Sequence, residues 1–456
     1  MAAAKLSDEA FSAILEAHPG LRERFASIAM AVANSGENLK EADAIEERIV
    51  EEMRLLGREA MQGWAETQVK ATEKEIRQQP SMHRQGKKLR WHTKFGEIAV
   101  LEPQYRCEKT RVRPFMRSAK VVPRGCSRPL QRTITDFAAD QPFAQARLKL
   151  LEHYGFAIGE STIQRIALGH AQALFEAGQA SQDFPETPGR HREIVAQTDG
   201  GMIPIVTPDE SQKDKRKGKA LSWREAKLCL AHAKGSQTPV YAGTVAGGVE
   251  TAGRQLFVCA VRAGFGATSH VHAVGDGAPW IVGQVEEYFG AQASYLIDFY
   301  HVCEYLSTAA KAIVADAAPL DAWMGAQKDA LKTGRLDNVL AALAPHIEAP
   351  EMDDDQAPVR RCHRYLSARR THLNYREALA NDLPIGSGEI ESAHRYIAQQ
   401  RLKRPGAWWR VDHAEYMLAL RINRRNGDWA AYWATVGKTG SPANQNQPAI
   451  LRKSAA

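Results

Sequence analysis

The sequence lacks the features that mark disulfide-rich, membrane-spanning and nucleotide-binding proteins. Its six cysteines form no CxxC pair, which argues against a zinc ribbon or a disulfide framework and favours reduced thiols. No stretch approaches the roughly 18 apolar residues of a membrane span. The N-terminus has no unbroken apolar core, so we expect no signal peptide. A Walker-type phosphate loop is also missing. These absences predict a cytoplasmic protein without a membrane partner.

What the chain does have is length and positive charge. At 456 residues it is too long for one ordinary core, so two to four domains are expected. Its apolar content of 44% and charged content of 25% are ordinary for globular proteins. The formal net charge of +7 indicates an acidic partner without identifying it.

The positive charge is concentrated near the N-terminus. Residues 1–80 have the apolar spacing of helices, whereas residues 81–133 read as extended, with prolines that break any helix. Residues 84–132 contain fourteen Lys or Arg against three Glu. Such an excess indicates a phosphate-backbone binder, although a solvated basic sheet face is the alternative. The candidate DNA contacts in this segment are Arg106, Arg111 and Arg113.

The next segment, residues 134–185, has the outline of a helix-turn-helix. Gly155 ends the first helix, and Ser161 with Gln164 forms a capping box for the second. Gln164 and Arg165 would then face a DNA groove. Helical hairpins also occur without DNA, so this reading depends on the adjacent basic segment.

Strands alternate with helices over residues 190–312. "EIVAQTDGGMIPIV" predicts a hairpin of two strands, and "EAKLCLAHA" predicts a third strand after an exposed loop. Residues 313–380 are predicted to form a helical insertion, 381–425 to supply the last helix of this core, and 426–456 to be a flexible tail.

Three acids carry the predicted chemistry. Asp199 and Asp276 each stand at the end of a predicted strand before a glycine, and Glu391 enters a helix with Ser387 as its possible N-cap. An Asp-Gly turn is the alternative reading of either aspartate alone. Three carboxylates on neighbouring elements can hold two Mg²⁺ ions for phosphodiester chemistry. The constellation is typical of an RNase H-like nucleotidyl-transfer domain.

The motifs "QTDGGMIPI", "WREAKL", "GDGAPWI", "LIDFYHVCEYL" and "LPIGSGEIESAHRYIAQQRLKRPGAWW" resemble those of ISKra-type bacterial insertion-sequence transposases and, more distantly, Mutator-like DDE transposases. The resemblance implies an α/β core with an RNase H-like mixed sheet flanked by helices and interrupted by an all-helical insertion. It implies Mg²⁺ or Mn²⁺, double-stranded DNA, a homodimer or higher homo-oligomer, and a bacterial, nucleoid-associated location. Asp199, Asp276 and Glu391 would be the catalytic acids.

The same resemblance matches Asp298 and His301 to a D-x-x-H signature. A strand-end cap for Asp298 and an ordinary helix-start position for His301 are the alternatives. Glu389 and Glu391 point about 200° apart on a regular helix, so only one can face the metals. We expect Glu391 to be the ligand and Glu389 to be structural. The expected phosphate contacts beyond them are His394, Arg395, Arg401, Lys403 and Arg404, and Trp408 and Trp409 are expected in the core.

Three functional classes remain open at this point. A DDE transposase is the leading hypothesis, an RNase H-like structure-specific nuclease is the second, and a non-catalytic DNA-binding repressor is the third. Intact acids at three positions argue against the repressor. Only a strand-joining assay separates the transposase from the nuclease.

Overall fold

The protein is described by a computed structural model that covers residues 6–33, 41–76, 83–107, 110–178, 184–209, 211–212, 218–314 and 316–439. The chain divides into two compact units. The first is Met1–Gly169 together with Trp433–Ala456, and the second is His170–Tyr432. Each unit has its own core and is described by itself below.

The first unit begins with helices and continues with a small sheet and more helices, as the sequence predicted. Its elements are α1 (Asp8–Ala17), α2 (Pro19–Ala33), α3 (Ala42–Ile76), β1 (His83–Thr93), β2 (Gly96–Cys107), β3 (Thr110–Val112), α4 (Pro114–Ser118), α5 (Arg128–Asp140), α6 (Phe143–Tyr154) and α7 (Glu160–Ala177), the last of which continues into the second unit.

The basic segment forms an antiparallel sheet in the order β1-β2-β3, and α3 packs on it. The amide of Gln62 on α3 bonds to both the N–H and the C=O of Ala99 on β2, at 3.2 and 2.8 Å. Apolar side chains fill the space between helix and sheet, including Leu89, Trp91 and Ile98. The charged side chains of this segment therefore stand on a sheet that has its own apolar support.

Two prolines of this segment begin helices instead of breaking them. Pro114 is the first residue of α4, and Pro129 lies in the first turn of α5. The first turn of a helix needs no N–H donor, so proline is tolerated there. The expectation of a wholly extended segment from 81 to 133 is therefore wrong at its end.

Helices α5, α6 and α7 pack around a shared apolar core that includes Leu130, Leu150 and Ile163. Gly155 ends α6 in the left-handed conformation, with φ of 67°, as the sequence predicted. Helix α7 begins at Glu160, so Ser161 lies inside the helix. The predicted capping box is wrong, whereas the helix-turn-helix outline agrees with the described helices.

The second unit contains a sheet surrounded by helices. Its elements are β4 (Glu193–Pro208), β5 (Lys219–Ala233), β6 (Val240–Thr244), α8 (Val249–Ala263), β7 (His270–Gly275), α9 (Pro279–Phe289), β8 (Ala293–Ile297), α10 (Phe299–Ile313), α11 (Ala317–Lys332), α12 (Leu336–Leu343), α13 (Pro358–Ala368), α14 (Tyr375–Ala380), α15 (Gly388–Ala393), a π-helical stretch (His394–Gln399), α16 (Gln400–Leu402), α17 (Val411–Arg425) and α18 (Trp429–Thr439), which extends into the first unit.

The five strands lie in the order β6-β5-β4-β7-β8. Strand β5 is antiparallel to both β4 and β6, whereas β7 is parallel to β4 and β8 is parallel to β7. The predicted mixed sheet flanked by helices is therefore present. Helices α11 to α14 occupy most of residues 317–380, so the predicted helical character of this segment is present.

The segment predicted as a hairpin is one continuous strand. Strand β4 pairs with β5 from Ile194 to Pro208, and Gly200 and Gly201 lie in its middle. The glycines serve close packing instead of a turn: a side chain on Gly200 would overlap the Glu225 carboxylate, and one on Gly201 would crowd the His394 ring. The predicted turn is wrong, and Asp199 is a mid-strand residue.

Two smaller predictions also need correction. Strand β5 begins at Lys219, so "KALSW", which was expected to be loop, is strand. The tail expected to be flexible from 426 contains helix α18, and the residues after Thr439 lie outside the described part. Within the described ranges, no helix combines the length and the apolar character needed to cross a membrane.

Candidate carboxylate site

Asp199 is placed by strand β4 beside the helix that carries Glu391. Side chains alternate along a strand, so Gln197 and Asp199 leave β4 on the same face. The Gln197 side chain accepts a hydrogen bond from the Ile390 N–H at 3.1 Å, which fixes α15 against this face. The Asp199 Oδ1 accepts the N–H of Gly200 at 2.7 Å.

Asp276 lies beside Asp199 because of strand register. Gln197 is level with Val274 in the parallel pairing of β4 and β7, and the two aspartates each follow by two residues. Asp276 is outside its strand, as predicted, and its Oδ1 accepts the Ala278 N–H at 2.9 Å. The Tyr365 hydroxyl, on α13 of the helical insertion, donates to the Asp276 carbonyl oxygen at 3.0 Å.

The electrostatics of Asp199 show that these acids are close. Burial raises the pKa of Asp199, and the charges of Asp276 and Glu225 raise it further, against the opposing effects of His394 and the Gly200 N–H. A carboxyl surrounded by carboxylates resists ionisation unless a cation compensates for the repulsion.

Glu391 belongs to the same group of charges, although its side chain is exposed. Partial burial raises its pKa, and the charges of Asp298, Asp199 and Glu304 add to that effect, while Arg395 lowers it. The structure thus brings Glu391 within electrostatic range of Asp199. The helix becomes π-helical directly after this turn, at His394. Such local widening of a helix is frequent at functional sites.

Glu389 takes a different direction from the same helix. Its Oε2 lies 2.9 Å from Nε2 of His232 on β5, a buried histidine. Burial opposes protonation of His232, but the hydrogen bond and the charge of Glu389 outweigh it, and the pKa of His232 is raised. Glu389 therefore forms a structural ion pair that holds α15 to the sheet.

Asp298 is buried, and its carboxylate joins the start of α10 to Ser387 by hydrogen bonds. One carboxylate oxygen accepts the N–H groups of Tyr300 and His301, which caps helix α10. The other accepts the N–H and the hydroxyl of Ser387. Ser387 thus donates to Asp298 and does not cap α15 with its side chain, which corrects the predicted N-cap.

His301 is half-buried and packs by its ring edge. Its ring centroid lies 5.4 Å from that of Tyr305 and 6.2 Å from that of Tyr365. Nδ1 is 3.7 Å from the Glu304 carboxylate. His301 is therefore close to the tyrosine that holds the Asp276 loop.

His394 was expected to contact DNA, but the structure buries it. Its Nε2 donates to the Asp199 carbonyl oxygen at 3.0 Å, and its Nδ1 is buried with no hydrogen-bond partner among the described residues. A solvent-inaccessible ring cannot reach a phosphate. The structure instead makes His394 a positioning group that ties the backbone of the first acid to the helix of the third.

Two functional candidates were missed in the sequence. Glu225 and Lys227 are two residues apart on β5, so their side chains leave the same face of the strand. Their carboxylate and ammonium groups lie 2.6 Å apart. The Lys227 ammonium also lies 5.7 Å from the ring centre of Trp280, four residues after Asp276. The i, i+2 spacing of charges within "WREAKL" was the available signal, because charges so spaced share a face only on a strand.

The predicted DNA-contacting cations fall into three groups. Arg113 and Arg401 are buried, Arg113 in an ion pair with Glu102 at 2.7 Å and Arg401 over the ring of Trp409, so neither is available to DNA and both are corrected. The side chain of Arg106 is outside the described part of the chain. The remaining candidates are exposed or half-buried: Arg111, Gln164, Arg165, Arg395, Lys403 and Arg404.

A metal would have to be held mainly by the two aspartates. Among the described residues, no three His, Cys, Asp or Glu side chains approach closely enough to hold a metal ion. The oxygen donors of the two aspartates are of the kind that a hard divalent cation prefers, and, in addition to burial, the charge of Asp276 raises the pKa of Asp199 and the charge of Asp199 raises that of Glu391. Asp199 and Asp276 are the pair brought together, and Glu391 is the exposed acid beside them.

Comparison with known proteins leaves the family of this chain open. No family model matches the sequence, and no curated protein matches it.

Proposed function

We propose that the protein is a DDE-type transposase, a metal-dependent polynucleotidyl transferase that cuts and joins DNA at the ends of an insertion sequence. The observation that carries this proposal is the position of Asp276 beside Asp199, each two residues beyond the last pair of the parallel strands β4 and β7, with Glu391 in electrostatic range. A half-buried acid whose pKa is raised by burial and by a neighbouring carboxylate, as that of Asp199 is by Asp276, is typical of sites built for a cation.

The topology of the second unit supports the same proposal. An RNase H-like core is a mixed sheet flanked by helices. Strands β4, β5 and β6 form an antiparallel meander, and β7 and β8 extend the sheet in parallel on the other side of β4. The helical segment α11 to α14 separates the strands from α15, as an insertion in such a core would.

The residues have distinct roles in this proposal. Asp199 and Asp276 would provide most of the ligands for two Mg²⁺ or Mn²⁺ ions, with Glu391 as the third acid, and the ions would activate the attacking oxygen and stabilise the leaving oxygen of a phosphodiester. Asp298, Ser387 and His394 position the strand and helix that present the acids. Arg395 and Lys403, both exposed beyond Glu391, would contact DNA phosphates.

The first unit would supply DNA binding. Its sheet exposes Lys87, Lys88, Arg90 and Arg111, and its three-helix core exposes Arg165 on α7. Counterion release from DNA makes such contacts strongly salt-dependent. We therefore expect the protein to bind duplex DNA tightly at low salt, as a dimer or higher oligomer on paired ends.

The test uses the full-length protein and labelled duplexes from both flanks of its gene. Cleavage and strand joining are followed with Mg²⁺ and with a chelator. We expect products only with Mg²⁺, and none from Glu391→Gln, while the matched charge removal Glu389→Gln keeps activity. Cleavage by the wild type without any joining would favour the nuclease alternative. Binding without cleavage in Mg²⁺ or Mn²⁺ would favour the repressor. A dead Glu389→Gln beside an active Glu391→Gln would reverse the assignment of the third acid.

A further inference from the structure

Two tryptophans stand side by side on the surface of the second unit. Trp223 on β5 is 53% exposed and Trp408, before α17, is 39% exposed. Their ring centroids are 6.1 Å apart, with an angle of 59° between the planes. Trp408 was expected in the core, and its exposure corrects that expectation. Large aromatic surfaces are normally buried, so two exposed together indicate a binding surface.

Backbone hydrogen bonds place this pair side by side. Trp409 is buried, and its N–H and C=O bond to Pro204 and Val206 of β4 at 3.2 and 2.8 Å. This places Trp408 at one edge of β4, while Trp223 pairs with Pro204 from the other edge. Trp223, Pro204 and Trp408 therefore form one row across three chain segments, which we call the tryptophan row.

A cation accompanies the tryptophan row. The ammonium of Lys403 lies 5.6 Å from the ring centre of Trp223, and Lys403 is exposed. An aromatic surface with a cation at its side matches the chemistry of a nucleotide, which has a flat base next to a phosphate. A purely apolar protein partner would leave that charge desolvated and unpaired.

Strand β5 leads from the tryptophan row towards the loop that carries Asp276. Trp223, Glu225 and Lys227 lie on one face of β5, whereas the Asp199 side chain leaves the other face of the sheet, because its partner on β5 is Leu228. Four residues of strand separate Trp223 from Lys227, which is about 13 Å. The Lys227 ammonium lies 5.7 Å from the ring centre of Trp280, four residues after Asp276, so a DNA strand that reaches Asp276 can extend along this face to the row.

We propose that the tryptophan row binds an unpaired nucleobase of a DNA strand, stacked on Trp223 and Trp408, with Lys403 at the adjoining phosphate. This inference rests on the proposed function for its choice of DNA as the ligand, but it concerns binding and not catalysis. It assigns to the surface a specificity for strands that are frayed or single-stranded beside the scissile position.

The experiment measures binding of the full-length protein in a chelator, so that cleavage plays no part. The probes are a fluorescent oligothymidine of about twelve residues and a matched strand with abasic positions. We expect the wild type to bind the base-containing strand about 5- to 150-fold more tightly than the abasic strand, since a stacked base contributes about 1–3 kcal/mol. Trp223→Ala and Trp408→Ala should lose most of this preference, and Trp223→Phe should retain it.

Leu221→Ala is the matched control, because Leu221 is exposed on the same face of β5, two residues from Trp223. It should leave the base preference unchanged. If the tryptophan variants, folded by circular dichroism, keep the full preference, or lose affinity equally for both strands, the inference is wrong. Altered self-association in Leu221→Ala and Trp223→Ala, without a change in base preference, would assign the row to a second copy of the chain. If the wild-type protein shows the base preference but cleaves no DNA, the binding site is supported and the proposed function is rejected.

Discussion

Asp199 lies on β4 and Asp298 directly follows β8, two strands away in the same sheet, yet their carboxylates are in opposite situations. Asp298 accepts hydrogen bonds from two N–H groups at the start of α10 and from the N–H and hydroxyl of Ser387. Asp199 accepts one, from Gly200, and faces the charges of Asp276 and Glu225. The saturated acid is a structural connector, whereas the acid left with repulsive neighbours is the one suited to a cation.

The strongest test of this comparison is to neutralise Asp199. We expect Asp199→Asn to lower DNA cleavage in Mg²⁺ by about 1,000-fold or more, since metal-assisted charge stabilisation contributes several kcal/mol. The free energy of unfolding should stay the same or rise, because a repelled charge is removed. Rates on labelled DNA ends and urea unfolding measure the two effects. A large loss of stability together with activity would make Asp199 a second connector.

Asp298→Ala should show the reverse pattern. Four donors lose their acceptor, and buried donors without partners cost about 1–3 kcal/mol each when water cannot replace the bond. We expect a loss of about 3–5 kcal/mol in the free energy of unfolding, measured in urea. Full stability of this variant would contradict the structural role. Tyr365→Phe, which removes one hydrogen bond to the Asp276 carbonyl, gives a milder comparison.

Addition of Mg²⁺ should stabilise the wild type and leave Asp199→Asn unchanged. At about 100 times its dissociation constant, a bound ion contributes about 2.7 kcal/mol. Because the pKa of Asp199 is raised in the folded protein, its ionisation destabilises the metal-free fold. This cost grows as the pH rises from the pKa of the unfolded state to the pKa of the folded state. The Mg²⁺ effect on the melting temperature should therefore shrink on acidification. Equal Mg²⁺ stabilisation of both proteins would place the ion elsewhere.

The smallest effect is expected at Glu389. Its ion pair with His232 is half exposed, so Glu389→Gln should cost less than about 1 kcal/mol. The pKa of His232 is raised in the folded protein. The stabilisation by this ion pair is therefore fully present below the pKa of the unfolded state and is lost as the pH rises through the pKa of the folded state. Urea unfolding at mildly acidic and at alkaline pH should show the cost only in acid. A cost that grows with pH would exclude this ion pair as its source.

Local chemistry allowed much of the fold to be predicted, and packing accounts for most of the errors. The α/β alternation and the helical insertion followed from periodicity, and Gly155 from the need for a left-handed residue at a helix end. The Asp-Gly-Gly turn was wrong because Gly200 and Gly201 make room for side chains from elements that a local pattern does not reveal. Arg113 is buried for a similar reason: it precedes α4, and its partner Glu102 lies eleven residues away, on strand β2.

In the candidate site too, local features could be predicted from the sequence, whereas contacts between distant segments could not. Asp276 could be placed outside a strand from its sequence, and Glu391 on a helix. That His394 would be buried against the Asp199 backbone, and that Trp408 would be exposed beside Trp223, depend on contacts between segments nearly two hundred residues apart. Such contacts leave no periodic signal in one sequence.

The bond from the Ile390 N–H to the Gln197 side chain spans 193 residues of chain. At ordinary rates of synthesis a ribosome needs roughly 10–40 s to add that many residues. For the later part of this interval, once Asp276 has been added, a nascent chain holds both Asp199 and Asp276 without the helix that carries Glu391. Closing so long a loop is also a slow event in folding. The order of the segments along the chain therefore delays assembly of the site, and the third acid joins the other two only when almost the whole polypeptide has been made.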